Sequence, residues 1–342
     1  MGRKNKSSKK GKSKKTATVV SLHQPTDSAG VVNSFPPRPS VADQSHSGVC
    51  SDDDVNDLLR QALKWAIHGP KNLQESAAVT QLAPNPQEQF FLACELGETS
   101  VAASLLSRHS ADCVEMRSKD GSTPLIIASK RGHEDISKFL IDNGAVVDCK
   151  WIGNTGATPL ILWCEHGNGS MVSILLKKGA SANLADDHGS TPLYCASRGN
   201  HACLLPLLYK AHADPNRKRI DGSTAMVIAA EKGHTEILES LYLHGGGLNA
   251  RLKCGATCLS LAAQNNHLGC VRKLLSWRCC CNTIDQEGAC PLWLAAAYGH
   301  HDLIKPLFSA SPGMALVDHS VNQFNALEVS LCRGHQEIFI LW

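Results

Sequence analysis

The feature that most constrains this 342-residue chain is internal self-similarity. The strings DGSTPL (120–125), TGATPL (155–160), DHGSTPL (187–193), DGSTAM (221–226), CGATCL (254–259) and EGACPL (287–292) recur in one register. Thr123, Thr158, Thr191, Thr224 and Thr257 follow one another at steps of 35, 33, 33 and 33, and the same position continues at Cys290 and Asn325. Each is followed by a Gly-His-like pair, from Gly132-His133 to Gly334-His335, and then by an apolar stretch such as ISKFL (136–140) or VSILL (172–176). Each unit closes with a pair such as Gly144-Ala145, Gly179-Ala180 or His212-Ala213. A period in this range marks a stack of supersecondary units. None encloses a core alone, so stability is a sum over neighbouring interfaces.

The residue types explain the register. Pro after Thr suits the first turn of a helix, where its missing N–H costs nothing. The preceding Gly supplies backbone angles that a side chain would strain. Ala128, Ala196, Ala229, Ala262 and Ala295 are small where neighbouring helices must approach, and Leu140, Leu175, Leu176, Leu207, Leu208 and Leu274 are the expected contacts between repeats. The His at the turn between the two helices reads as a backbone-bonding residue. The pattern resembles the ankyrin repeat, with its period near 33 and its T-P-L-H-x-A signature. The resemblance covers 88–342: a degenerate first unit at 88–118, six units over 119–320 and a partial last one at 321–342. It implies an all-α solenoid of stacked helix-turn-helix units carrying β-turn fingers. Local departures are Ala225-Met226 and Cys258 in place of Pro-Leu and Pro, and Pro206 and Pro306 inside second helices, where Pro removes a hydrogen bond.

The N-terminal part differs. Residues 1–20 hold eight of the 34 Lys and Arg and no acid, so the remainder carries 26 bases against 31 acids. Residues 1–49 are rich in Lys, Ser, Gly and Pro and are expected to form a disordered basic tail. In 50–69, Val55, Leu58, Leu59, Ala62 and Ala66 fall on one helical face. That segment is read as an amphipathic helix packing on the array or holding a partner, with 70–87 as a Pro-containing linker. Ser51 before three Asp is both a helix cap and a phosphorylation candidate. The basic run 3–15 reads as an import signal, a nucleic-acid contact or a solvated tail. Lys6 stands where N-myristoylation wants Ser or Thr. The apolar ending EIFILW (337–342) reads as a chain that continues in a longer product, or else as an end that meets a partner.

The sequence contains no phosphate-binding G-x-x-x-x-G-K-[ST], no dinucleotide G-x-G-x-x-G and no H-E-x-x-H. Cys279, Cys280 and Cys281 are adjacent, an arrangement that rarely converges on one tetrahedral ion, and Cys258 sits at a helix-start position in the register. No metal, cofactor or catalytic residue is therefore assigned. The absence of an apolar signal core and of any run of about 18 uncharged apolar residues argues for reduced thiols, and for a cytoplasmic or nuclear chain without a transmembrane segment.

Carried over by register, the first-helix positions expected to face a protein partner are Lys130, Arg131, Glu165, His166, Arg198, Glu231, Lys232, Gln264, Asn265 and Tyr298. The finger between the first two clear repeats is two residues longer and bears Trp151 and Ile152. Trp151 reads equally as a partner contact and as packing on the next finger. As a contact residue, its loss would weaken capture without changing stability. In ankyrin repeats the loop asparagines can be hydroxylated, which makes Asn183, Asn216, Asn249 and Asn282 modification candidates. The function expected is a monomeric, non-catalytic protein-interaction scaffold or adaptor. The alternative is a nucleic-acid-associated factor that uses the tail for contact and the repeats for recruitment.

Overall fold

The computed structural model describes residues 86–108, 111–152, 155–312 and 325–340. The chain divides into two units, 1–49 and 50–342, and every described residue belongs to the second. The basic tail, the amphipathic segment at 50–69 with Ser51, and most of the linker lie outside the described residues.

Helices follow one another in antiparallel pairs. The first four pairs are α1 (Pro86–Leu96) with α2 (Thr99–Arg108), α3 (Pro124–Arg131) with α4 (Glu134–Asp142), α5 (Pro159–His166) with α6 (Gly169–Lys177), and α7 (Pro192–Arg198) with α8 (Leu205–Lys210). The next four are α9 (Ala225–Lys232) with α10 (Thr235–Leu243), α11 (Cys258–Gln264) with α12 (Leu268–Ser276), α13 (Pro291–Ala297) with α14 (His301–Ala310), and α15 (Ala326–Cys332) with α16 (Gln336–Ile340). Among the described residues there is no named β-strand; one isolated bridge joins Arg251 and Thr257.

Each first helix from α3 onward starts for the same local reason. The Thr at the repeated position has extended backbone angles, and its hydroxyl accepts the N–H three residues on: Thr123 from Ile126, Thr158 from Ile161, Thr191 from Tyr194, Thr224 from Val227 and Thr257 from Ser260. Cys290 does this with its sulfur, and Asn325 with its amide oxygen. A cap of this type contributes about 1 kcal/mol. That is why α9 and α11 begin in register although Ala225 and Cys258 replace the expected Pro. Helix ends need left-handed backbone. Gly132, Gly167 and Gly233 supply it at C-caps, while Asn200 and Asn266 adopt φ of 60° and 59° in the turns before second helices. Asn tolerates that region better than other side chains do.

The two prolines behave differently. Pro306 lies inside α14, as its place in the repeat suggests. Pro206 does not lie in a helix interior: a 3-10 turn (Ala202–Leu204) precedes α8, which begins at Leu205, so Pro206 falls in the first turn, where it forfeits no bond.

The core is one continuous apolar seam from Phe90 to Ile338. Ala128, Ala196, Ala229, Ala262 and Ala295 are fully buried, as are Leu140, Leu175, Leu208 and Leu274. Each buried Leu contributes about 1.5–3 kcal/mol. First helices touch one another more extensively than second helices do, as their small residues allow. Among the described residues no helix is long and apolar enough to cross a membrane.

Candidate functional site

Three ladders of polar contacts run along the stack, and together they decide which side chains remain for anything else. The first is made of histidines. A ring N–H donates to a backbone carbonyl of the preceding repeat in His133–Glu95 (2.8 Å), His201–Glu165 (3.1 Å), His234–Arg198 (3.2 Å), His267–Glu231 (2.9 Å), His300–Gln264 (2.9 Å) and His335–Ala297 (3.3 Å). These carbonyls end the first helices and have no intrahelical partner. One repeat has Asn168 in place of His, and there His166, two residues earlier, donates to the Ser129 carbonyl (2.9 Å). His166, expected to face a partner, is exposed, and its ring also holds two repeats together and rests near Trp163, centroids 5.6 Å apart.

The second ladder is made of loop amides. Asn183 donates to the His212 carbonyl and accepts the Asp214 N–H, both at 2.8 Å. Asn216 repeats this with Gly245 (2.9 Å) and Gly247 (2.8 Å). Asn249 accepts the Cys280 N–H (3.0 Å), and Asn282 accepts from the Ser311 hydroxyl. Asp148 and Glu115 fill the same slot earlier, accepting the N–H of Ser181 and of Val146. The repeated Asn is thus explained by its bond to the following loop, independently of any modification.

The third ladder joins fingertips through backbone bonds: Asp187 N–H to Thr155 carbonyl (2.8 Å), Ile220 to His188 (3.0 Å), Lys253 to Asp221 (2.8 Å) and Gln286 to Cys254 (2.9 Å). Within each finger a Gly at positive φ closes the turn. At Gly222 an added Cβ would lie 2.9 Å from the Arg251 carbonyl oxygen, so the close approach of the next finger also demands glycine there.

The remaining side chains at the ends of first helices form a row along the stack. Arg131 pairs with Glu95, and Arg198 with Glu165, each across one repeat. Lys232 pairs with its neighbour Glu231 at 3.2 Å. Asn265 donates to the Glu231 carbonyl (3.1 Å), and the Gln264 carbonyl takes the His300 ring. Tyr298 is exposed beneath the Arg333 guanidinium, 5.5 Å from the ring centroid. Exposed pairs of this kind contribute about 0–1 kcal/mol each. They order the row without sealing it.

Of the two readings of Trp151, packing holds and partner contact fails: it is only 6% exposed and belongs to the core. Its backbone pairs with Ala157, and the Lys130 ammonium lies 4.4 Å from its ring centroid. Ile152 beside it is 59% exposed.

The described thiols divide into buried and exposed ones. Cys258 and Cys279 are buried, Cys280 is exposed, and the Cys281 sulfur sits 2.9 Å from the Ser311 hydroxyl. Burial pushes the Cys149 thiol up to about 11, and those of Cys258 and Cys279 up to about 12, while Cys94, Cys164 and Cys195 are also raised. A thiol held protonated is a poor nucleophile. Among the described residues no three His, Cys, Asp or Glu side chains converge as metal ligands.

Sequence reasoning missed two features of this surface. Stacked rings cross repeats at Tyr209–His244 (3.6 Å) and Tyr242–Trp277 (4.1 Å), and the 33-residue step from Tyr209 to Tyr242 was the available signal. Fingertip charge was the other; Arg217, Lys218, Arg251 and Lys253 are all exposed.

The sequence profile of a family described as "Ankyrin repeats (3 copies)" matches residues 53–151, 147–219, 199–285 and 226–315, overlapping spans that cover more than half of the chain. The first span begins at residue 53, so it takes in the segments read from sequence as an amphipathic helix and a linker. The "Ankyrin repeat and KH domain-containing protein mask" of Drosophila melanogaster is 35% identical over 99 residues, which is 29% of this chain and 2% of that protein. The chain thus matches a small part of that relative's length.

Proposed function

The chain belongs to the ankyrin repeat family, and from that premise we propose that it is a non-catalytic scaffold or adaptor that binds another protein across its first-helix ends and fingers. Ankyrin repeats generally mediate protein–protein interaction. The observation that carries the reading for this chain is where its polar groups are used. The His, Asn and Thr that recur are bonded to neighbouring repeats or helix ends, whereas the residues that vary from repeat to repeat form the exposed row from Lys130 and Arg131 to Asn265 and Tyr298. Varied side chains on a rigid stack suit recognition of one protein surface. We place the protein in the cytoplasm or nucleus, where its many unpaired thiols stay reduced.

Affinity capture with the full chain tests this. The comparison is a variant carrying Lys130→Glu, Lys232→Glu and Asn265→Arg, checked for an unchanged melting curve. A protein captured by the wild type and lost with the variant supports the proposal. Capture that ignores the variant refutes the first-helix surface.

A second reading has its own observation, the eight bases without an acid in residues 1–20. In it the tail contacts nucleic acid and the repeats recruit proteins. Deleting residues 2–15 should abolish salt-sensitive nucleic-acid binding; no change removes this reading.

A further inference from the structure

Two neighbouring fingers are basic, and the fingers on either side of them are acidic. The finger at 216–223 carries Arg217, Lys218 and Arg219 against one acid, Asp221; the finger at 249–256 carries Arg251 and Lys253 and no acid. The preceding finger, 183–190, has Asp186 and Asp187 and no Lys or Arg, and the following one, 282–289, has Asp285 and Glu287 and none. The array at 88–342 holds 22 bases against 24 acids, so this concentration is local and not a general surplus.

The nearby acids, Asp214 included, make their contacts elsewhere than with Arg217, Lys218, Arg251 and Lys253. Asp221 is engaged by Arg219 (3.0 Å) and by the Ser223 N–H (2.8 Å). Asp186 accepts the N–H groups of His188 and Ser190 in its own turn, and Asp285 does the same for Glu287 and Ala289. The Asp187 carboxylate points toward Gly156 on the finger before it. Arg217, Lys218, Arg251 and Lys253 remain exposed and form no ion pair among the described residues. The Lys253 N–H to Asp221 carbonyl bond locks the two fingers side by side. Ile220 stands in this charged field 61% exposed, its own backbone fixed by the bond to the His188 carbonyl.

We infer that the fingers at 216–223 and 249–256 form a docking surface for a short acidic peptide segment with an apolar side chain that covers Ile220. Stacked helices lie about 8–10 Å apart, so two fingers span roughly 20 Å. An extended chain advances about 3.3–3.6 Å per residue, which gives room for about six residues. The acidic fingers on both sides repel a longer acidic run and so set its length. Neither basic finger has an aromatic residue on which a base could stack, and an exposed isoleucine suits a protein side chain better than a phosphate backbone. The inference names the partner chemistry of the scaffold proposed above and rests on that reading.

The probe is a fluorescein-labelled synthetic peptide with the core Glu-Asp-Glu-Leu-Asp-Glu between Gly-Ser arms, titrated with the full chain and followed by anisotropy. The controls are its Gln/Asn counterpart and a labelled oligo-dT. The variant Arg217→Glu/Lys218→Glu/Arg251→Glu/Lys253→Glu should bind the acidic peptide roughly tenfold more weakly or worse, and the wild-type affinity should fall with salt. Ile220→Ala should weaken it about fivefold. Residues 3–15 are present in every protein compared, so any contribution of the tail cancels. All four basic side chains are exposed and the fold should survive; the neutral set Arg217→Gln/Lys218→Gln/Arg251→Gln/Lys253→Gln serves if the reversed one does not. Three results overturn the inference: equal affinity in wild type and variant, no binding of the acidic peptide by the wild type, or an oligonucleotide that alone depends on these residues. Each leaves the scaffold proposal standing, since that proposal is decided by capture on the first-helix variant.

Discussion

Trp151→Phe and Trp163→Phe remove the same atoms from two buried sites, and they should differ in cost. Trp163 is 1% exposed and Trp151 is 6% exposed, so the transfer and cavity losses nearly cancel between them. What differs is the indole N–H. In Trp163 it donates to the Ser129 hydroxyl at 3.0 Å; in Trp151 it is buried without a partner. Trp163→Phe gives up a hydrogen bond, about 0.5–1.5 kcal/mol, and strands the Ser129 hydroxyl. Trp151→Phe removes an unsatisfied donor that costs about 1–3 kcal/mol. Trp163→Phe should therefore be the worse substitution by roughly 1.5–4.5 kcal/mol. Urea unfolding of the full chain, followed by far-UV circular dichroism because the fluorophore itself changes, measures the difference. In a Ser129→Ala background the extra penalty of Trp163→Phe should vanish. If Trp151→Phe proves equally or more damaging, the assignment of the two indoles is wrong. Trp151→Ala should cost about 3 kcal/mol or more, as truncating a buried Trp does, which reverses the expectation from sequence that stability would not change.

Asn216→Ala removes both bonds to the next loop and should lower stability by about 1–2 kcal/mol; Asn216→Asp, which keeps the acceptor for Gly247, should cost less, and the same urea titration ranks them. Arg278→Gly relieves a non-glycine residue at φ 56° and should stabilise the chain by roughly 0.5–1 kcal/mol; a loss of stability would show that Arg278 makes a contact worth more than its backbone strain. Among the cysteines of the described residues, iodoacetamide labelling read by mass spectrometry should find Cys203, Cys254, Cys280 and Cys332 modified first in the native chain. Cys258 and Cys279, with pKa values pushed up to about 12 by burial, should stay protonated and unlabelled even at mildly alkaline pH until urea exposes them.

Much of the array was legible because the information is local. A Thr three residues before its N–H partner, a Gly or Asn at a left-handed turn, and an Ala at a helix contact each act within one unit, and repetition averages away the exceptions. Cys290 and Asn325 were placed correctly as helix starters by register alone. Even the backbone role of the turn histidine was readable, though not its partner. Pro206 was misjudged because a one-dimensional register does not show that the chain begins this second helix late, through a 3-10 turn. The sequence leaves Trp151 undecided because burial of a finger residue depends on the path of the neighbouring chain.

By itself, then, the sequence determined the unit: where helices start, where they stop, and which face is apolar, since these follow from contacts between residues a few positions apart. Only the stacked structure decided what the polar residues do. The ring of His267 meets Glu231, 36 residues earlier, and the amide of Asn216 reaches Gly245 and Gly247, 29 and 31 residues later, because each repeat leaves backbone groups that the next repeat satisfies. The basic surface exists for the same reason: Arg217 and Lys253 are a full repeat apart along the chain, and the Lys253–Asp221 backbone bond makes their fingers neighbours.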